Sequence, residues 1–144
     1  MTHEDKGHYR NKRLSEAVPP PELLETVRKG ARENRLSCAG AFRIAKRTGF
    51  PPDRVGAALD HEEISLGRCQ LGLFGYGKEN KILVAAEEID PKLKGMIGDA
   101  LVDGRLPCAA AWEIARRCRV SRMAVSGACE ALKLKISRCQ LGAF

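Results

Sequence analysis

Apolar residues recur at helical spacing in six separate stretches of the chain. In the first stretch, Leu23, Leu24 and Val27 share one face of a helix. The six predicted helices begin near residues 21, 37, 52, 91, 107 and 122, and the third and sixth cover 52–60 and 122–132. We expect Asn34 and Gly104 to end the first and fourth helices, because both residue types tolerate the left-handed backbone of a helix C-cap.

Two extended runs follow the third and sixth helices. Apolar and polar residues alternate at Ile64 and Leu66, and the alternation resumes out of phase at Cys69. The run over 134–142 has the same pattern, so we expect a bulge or kink near 67–68 and 137–138. A lone strand cannot satisfy its backbone groups. We therefore expect the two strands to pair with each other in antiparallel fashion, or each to pair with residues 81–84 as the wing of a winged helix.

The two halves of the chain are copies of one unit. Residues 35–74 and 105–144 align without a gap and share 16 identities in 40 positions. The lack of gaps predicts the same fold twice. The predicted organisation is a flexible N-terminal tail, a first repeat, a connector and a second repeat, at residues 1–19, 20–75, 76–89 and 90–144.

Each copy carries a short pattern at the junction of its second and third helices. In the first copy, Ala45 is followed by Gly49 four residues later and by Val55 six residues after that. The second copy has Ala115 and Val125 at the matching positions, with Arg119 in place of the glycine. A small alanine lets the helices cross closely, glycine takes positive φ in the turn, and the valine packs one helix on the other. Positive φ at Arg119 costs about 1 kcal/mol, so a differently shaped second turn is expected.

This pattern resembles the helix-turn-helix of bacterial DNA-binding transcriptional regulators. The resemblance covers about twenty residues per copy. It implies a mainly α fold of two tandem three-helix units, each followed by a short β-strand in a small two-stranded sheet or wing. It also implies double-stranded DNA as the partner, with the third helix of a unit in the major groove.

The charge of the chain is unevenly distributed. The formal net charge is +7; residues 22–75 carry +2 and residues 91–144 carry +6. A basic balance favours a polyanionic partner. In the first copy the third helix also has acid on or just after it, at Asp53, Asp60, Glu62 and Glu63, so we expect the second copy to be the stronger DNA reader. The candidate DNA-binding residues are Arg116, Arg117, Arg119, Ser121, Arg122, Met123 and Ser126 in the second copy, and Arg43, Lys46, Arg47 and Arg54 in the first.

Four of the six cysteines occupy matching positions in the two copies: Cys38, Cys69, Cys108 and Cys139. Four equivalent thiols could ligate zinc or an iron–sulfur cluster, but a spacing of 31 residues is not a ligand signature. The alternative is that they are small apolar fillers of the core. A disulfide framework is a further alternative, which the absence of a recognisable export signal disfavours.

No catalytic pattern is present in the sequence. It lacks a phosphate-binding glycine loop, a nucleophile elbow and an HExxH motif. We therefore expect a non-enzymatic cytoplasmic protein without a cofactor or a membrane span. Its expected partners are double-stranded DNA and a second copy of the same chain, with which it would form a homodimer. A protein–protein adaptor that keeps the fold without binding DNA is the alternative function, and a thiol-based metal or redox sensor is a third.

Overall fold

The computed structural model describes residues 18–144 and confirms the expected mainly helical class. These residues form six α-helices, four short strands and a single 3₁₀ turn at Gly77–Glu79. The elements are α1 (Pro21–Gly30), β1 (Arg35–Ser37), α2 (Cys38–Thr48), α3 (Pro52–His61), β2 (Ser65–Gly67), α4 (Pro91–Ala100), β3 (Leu106–Pro107), α5 (Cys108–Cys118), α6 (Arg122–Ala131) and β4 (Ile136–Ser137). The predicted tail falls outside this range, apart from residues 18 and 19.

The chain divides into two units whose limits differ from those of the sequence repeats. Within the described chain, the first unit comprises residues 18–69 together with Gln140–Phe144, and the second comprises Gln70–Cys139. We call residues 70–74 and 140–144 the end blocks. Each end block follows the last strand of one repeat in sequence but belongs to the unit built from the helices of the other.

Side-chain caps and prolines begin several of the helices at the expected places. Ser37 Oγ accepts a hydrogen bond from the Gly40 amide at 3.0 Å, and Ser121 Oγ accepts one from the Ala124 amide at 2.9 Å. Both bonds satisfy amides that a helix leaves without an internal partner. The apolar face of each helix packs into the core; in α1, for example, Leu23 and Val27 are fully buried.

The prediction that Asn34 and Gly104 end the first helices is wrong. The helices α1 and α4 end at Gly30 and Ala100, four residues earlier. Asn34 and Gly104 do adopt left-handed backbone, each directly after another residue with positive φ. Two consecutive left-handed residues form a tight type I′ hairpin turn, closed by reciprocal hydrogen bonds between residues 32 and 35 or 102 and 105 at 2.8–3.0 Å.

Both predicted strand pairings are also wrong. The strand β2 pairs in parallel with β1 inside the first unit, and β4 pairs in parallel with β3 inside the second. Parallel neighbours need a long crossover connection, which the two helices between them supply. The hairpin turns after α1 and α4 create the partner strands, so residues 81–84 form no strand in the described chain. The expected kink is confirmed, because Arg68 and Arg138 just beyond β2 and β4 have φ of 47° and 50°.

The junctions between α2 and α3 and between α5 and α6 each turn on one left-handed residue. Gly49 has φ 82°, and Arg119 at the matching position is also left-handed with φ 55°. The ψ angles differ, at −1° for Gly49 and 42° for Arg119, and so do the closing hydrogen bonds: the Gly49 amide donates to Ala45, whereas the Arg119 amide donates to Arg116. The second turn is therefore shaped differently, as expected, although it keeps a left-handed residue.

The small and apolar residues around each junction are buried, as the pattern predicts. Ala45 and Ala115 keep only a few per cent of their surface exposed, and Val55 and Val125 are fully buried.

Candidate nucleic-acid interface

Four arginines cluster where α5 turns into α6 in the second unit. Arg116 and Arg117 lie in the last turn of α5, Arg119 is the left-handed turn residue, and Arg122 is the first residue of α6. The first three are exposed and Arg122 is half-buried. The tight turn thus presents four cations within a span of seven residues. We call this group the α5–α6 basic cluster.

The exposed arginines differ in whether they have an acidic partner. Arg116 forms a two-point ion pair with Glu113, with nitrogen–oxygen distances of 2.5 and 3.1 Å. The hydrogen bond from Arg116 lowers the pKa of Glu113, and the carboxylate in turn raises the pKa of Arg116. Neither Arg117 nor Arg119 forms an ion pair with any residue of 18–144. The charge of Arg117 helps to lower the pKa of Glu113, but neither Arg117 nor Arg119 is held in direct contact with a described carboxylate.

Arg122 is held by two other residues of the second unit. Its guanidinium carbon lies 3.5 Å from the centroid of the Trp112 ring. One of its terminal nitrogens donates a hydrogen bond to Oε1 of Gln70, which comes from the end block 70–74. Stacking on an aromatic face and bonding to a fixed oxygen both restrict the guanidinium.

An open cleft of about 780 Å³ surrounds this arginine. Its lining residues come from α5, from the turn, from the start of α6 and from the end block. They are Gln70, Ala109, Trp112, Glu113, Ala115, Arg116, Val120, Ser121, Arg122 and Met123. The predicted residues Arg116, Ser121, Arg122 and Met123 therefore share one concave surface.

The structure places Ser126 in the interior, so its expected contact with DNA is wrong. Ser126 is fully buried, and its hydroxyl donates to the backbone oxygen of Leu71 at 2.6 Å. The end block 70–74 covers that face of α6. Met123, another predicted contact, is half-buried beside Gly72 of the same block. Ser121 stays exposed, although its hydroxyl already caps α6.

The first unit presents a second, differently composed basic surface. Its predicted residues Arg43, Lys46, Arg47 and Arg54 are all exposed. Two of the acidic residues expected to repel DNA there are either buried or close to a basic side chain. Asp60 is 7% exposed, and Glu62 lies 3.7 Å from both Arg28 and His61. Asp53 is the exposed acid on the third helix of this unit.

Trp112 and Gln70 are site residues that sequence reasoning did not assign. Trp112 was predicted only as part of an apolar stripe, and its neighbour Arg122 is ten positions away. Gln70 carries no distinguishing signal either, because Gln140 lies in an identical stretch of five residues. Only the folded position of the end block shows that Gln70 reaches Arg122.

The cysteines are thiols, and most of them lie in the interior. Cys38, Cys69, Cys108 and Cys129 are buried, while Cys118 and Cys139 are half-buried. Burial raises the pKa of the Cys129 thiol to about 11. Within residues 18–144, no three His, Cys, Asp or Glu side chains are grouped so that they could hold a metal ion. The buried positions are those expected of small apolar fillers.

Comparison with known proteins identifies no relative. No protein-family model matches the chain, and neither the curated proteins nor the solved structures include a significant match. Among the described residues, no helix combines the length and the apolar character needed to cross a membrane.

Proposed function

We propose that this protein binds double-stranded DNA, as a transcriptional regulator of the helix-turn-helix type, through the α5–α6 basic cluster. The observation that carries the proposal is the pair of exposed arginines, Arg117 and Arg119, which form no ion pair with any residue of 18–144. Fixed exposed cations at a helix junction suit contacts to phosphate oxygens, which position a protein on the duplex without reading its sequence.

The local backbone supports interpreting α5 and α6 as a helix-turn-helix. The buried Ala115, the left-handed Arg119 and the buried Val125 occupy the positions at which the motif requires a small residue, a turn and a packing contact. With that arrangement, α6 is the helix that enters the major groove, and its first residues face base edges and backbone. Arg122 and Met123 are those residues here.

The second unit is the better candidate for this role than the first. At the position of Arg122 the first unit has Pro52, and at the position of Met123 it has Asp53. An exposed carboxylate at the start of α3 repels phosphate, whereas the start of α6 has none. We therefore assign DNA reading to α6 and limit Arg43, Lys46, Arg47 and Arg54 to contacts with the DNA backbone.

A salt titration tests the proposal. Binding of a labelled random-sequence duplex is followed by fluorescence anisotropy at increasing salt. We expect the logarithm of the association constant to fall linearly with the logarithm of salt concentration, by about 0.9 for each phosphate neutralised. The variant Arg117→Ala should lose about one such contact. Arg47→Ala, its counterpart in the first unit, is the matched control and should change the slope less.

Two results would count against the proposal in different ways. If the wild-type protein does not bind the duplex even at low salt, DNA binding is refuted and the protein–protein adaptor becomes the leading function. If Arg117→Ala and Arg47→Ala reduce the slope equally, DNA binding stands but the assignment to the second unit is wrong.

A further inference from the structure

The contacts of Arg122 in the free protein suggest what it recognises. We infer that Arg122 selects a guanine in the bound DNA, and that Trp112 and Gln70 are positioning residues that hold its guanidinium ready. This inference rests on the proposed DNA binding and goes beyond it, because phosphate contacts alone give affinity without base preference.

The two holding contacts restrict different motions of the guanidinium. Stacking 3.5 Å above the Trp112 ring fixes the plane of the group. The hydrogen bond to Gln70 Oε1 restricts rotation within that plane. An arginine that is ordered before binding loses less conformational entropy when its ligand arrives. Together, Trp112 and Gln70 convert a flexible side chain into a fixed donor group.

The donors that remain match a guanine edge. Gln70 engages the Nη1 side of the guanidinium, while Nε and Nη2 donate to no acceptor among residues 18–144. These two nitrogens form a parallel pair of donors, and Arg122 is one of the residues that line the open cleft. Guanine presents two adjacent acceptors, O6 and N7, in the major groove, and a bidentate arginine is the commonest specific contact to them.

The repeat supplies an internal comparison for the positioning role. The first unit keeps glutamine at position 140 and an aromatic residue, Phe42, at the position of Trp112. It has Pro52 in place of Arg122, so it lacks the group that these residues would hold. Gln140 therefore serves as a matched control for Gln70: the same residue type lies at the matching position of the other end block, in a unit whose third helix begins with proline instead of arginine.

A purely structural role for the three residues is the alternative. In that case the Arg122 contacts would only fasten the start of α6 to α5 and to the end block. Removing Gln70 or Trp112 would then lower stability, or lower affinity for all duplexes together. It would leave the relative affinity for different bases unchanged, which makes base preference the decisive measurement.

The experiment begins with selection of the full-length protein's preferred sites from a randomised duplex pool. The best duplex is then remade with each single base pair replaced, and the affinities are compared. We expect one guanine whose replacement weakens wild-type binding by about five- to 150-fold. Arg122→Lys, which keeps the charge, should lose most of that preference while still binding the duplex.

The positioning residues are tested with the same set of duplexes. Gln70→Leu removes the acceptor and should reduce the guanine preference several-fold, while Gln70→Glu, which keeps an oxygen there, should retain it at lower overall affinity. Trp112→Phe should preserve more of the preference than Trp112→Leu. Gln140→Leu should leave the preference at the wild-type value.

The outcomes separate this inference from the proposed function. If no duplex is bound, both fall. If duplexes are bound but no guanine preference depends on Arg122, the inference is refuted and DNA binding stands. If Gln140→Leu changes the preference as much as Gln70→Leu does, Gln70 has no specific positioning role.

Discussion

Gly56 in α3 lies directly against the backbone of the end block 140–144. A Cβ atom added at Gly56 would lie 1.7 Å from the backbone oxygen of Leu141 and 2.6 Å from its carbonyl carbon. Ordinary van der Waals contact begins at 3.4 Å, so the Leu141 carbonyl would have to retreat by about 1.7 Å. Leu141 is 2% exposed, so such a retreat would disturb the core of the first unit.

We expect Gly56→Ala to lower the free energy of unfolding by about 1–2 kcal/mol. Forcing extra volume into a packed core lowers the free energy of unfolding by about 1–3 kcal/mol, whereas replacing glycine by alanine inside a helix raises it by up to about 1 kcal/mol. The matching residue in the second unit is Ser126, whose hydroxyl donates to Leu71. Serine brings the same Cβ clash, but once the Leu141 carbonyl has moved away its hydroxyl can make the equivalent bond, so we expect Gly56→Ser to be milder than Gly56→Ala by about 1 kcal/mol.

Urea unfolding followed by circular dichroism measures these effects. Trp112 is the single tryptophan and lies in the second unit, so its fluorescence locates any change. If the free energy of unfolding falls more when measured by circular dichroism than when measured by tryptophan fluorescence, the destabilised part is the first unit. The control is Gly98→Ala in α4, where an added Cβ would meet no atom within 4 Å. That variant should gain up to about 1 kcal/mol. If Gly56→Ala is as stable as Gly98→Ala, the close approach of Leu141 is not a real constraint.

Two other predictions follow from the backbone and the thiols. Arg119→Gly should raise the free energy of unfolding by about 1 kcal/mol in the urea assay, since glycine adopts the left-handed turn without the side-chain penalty; it should also reduce the salt slope for DNA by about 0.9. A less stable variant would contradict the strain argument. Cys129, with its pKa raised to about 11, should resist alkylation in the native protein at mildly alkaline pH, while the half-buried Cys118 and Cys139 react. Peptide mass spectrometry with and without urea measures this, and equal labelling of all three native thiols would show that Cys129 is not protected.

The sequence predicted the helices well because their apolar spacing is strong and occurs twice. It failed at Asn34 and Gly104 for a physical reason: left-handed backbone serves both a helix C-cap and a hairpin turn, and these residue types do not distinguish the two. The strands β1 and β3 have three and two residues, too few for a detectable alternation. Without them, the parallel partners of β2 and β4 could not be predicted.

The candidate site was predictable in its charges but not in its contacts. The four arginines within residues 116–122 are visible in the sequence, and the structure places them around one turn. Ser126 was predicted to contact DNA because it lies in the third helix of the second copy. Five consecutive residues, 125–129, are buried instead: the end block covers Ser126, and the segment at residues 84–86 lies against Gly127. The two end blocks differ at a single position, Leu73 against Ala143, so nothing local indicates which unit each one joins.

The placement of the end blocks also has a consequence for the order in which the chain can fold as it is synthesised. The second unit is built from one continuous stretch, Gln70–Cys139, and all of its parts are present once that stretch has been made. The first unit is encoded first but includes Gln140–Phe144, so the ribosome must add about seventy more residues before Leu141 can reach Gly56. We expect the unit made first to be the last to complete its core, and to depend on residues of high sequence separation for its final packing.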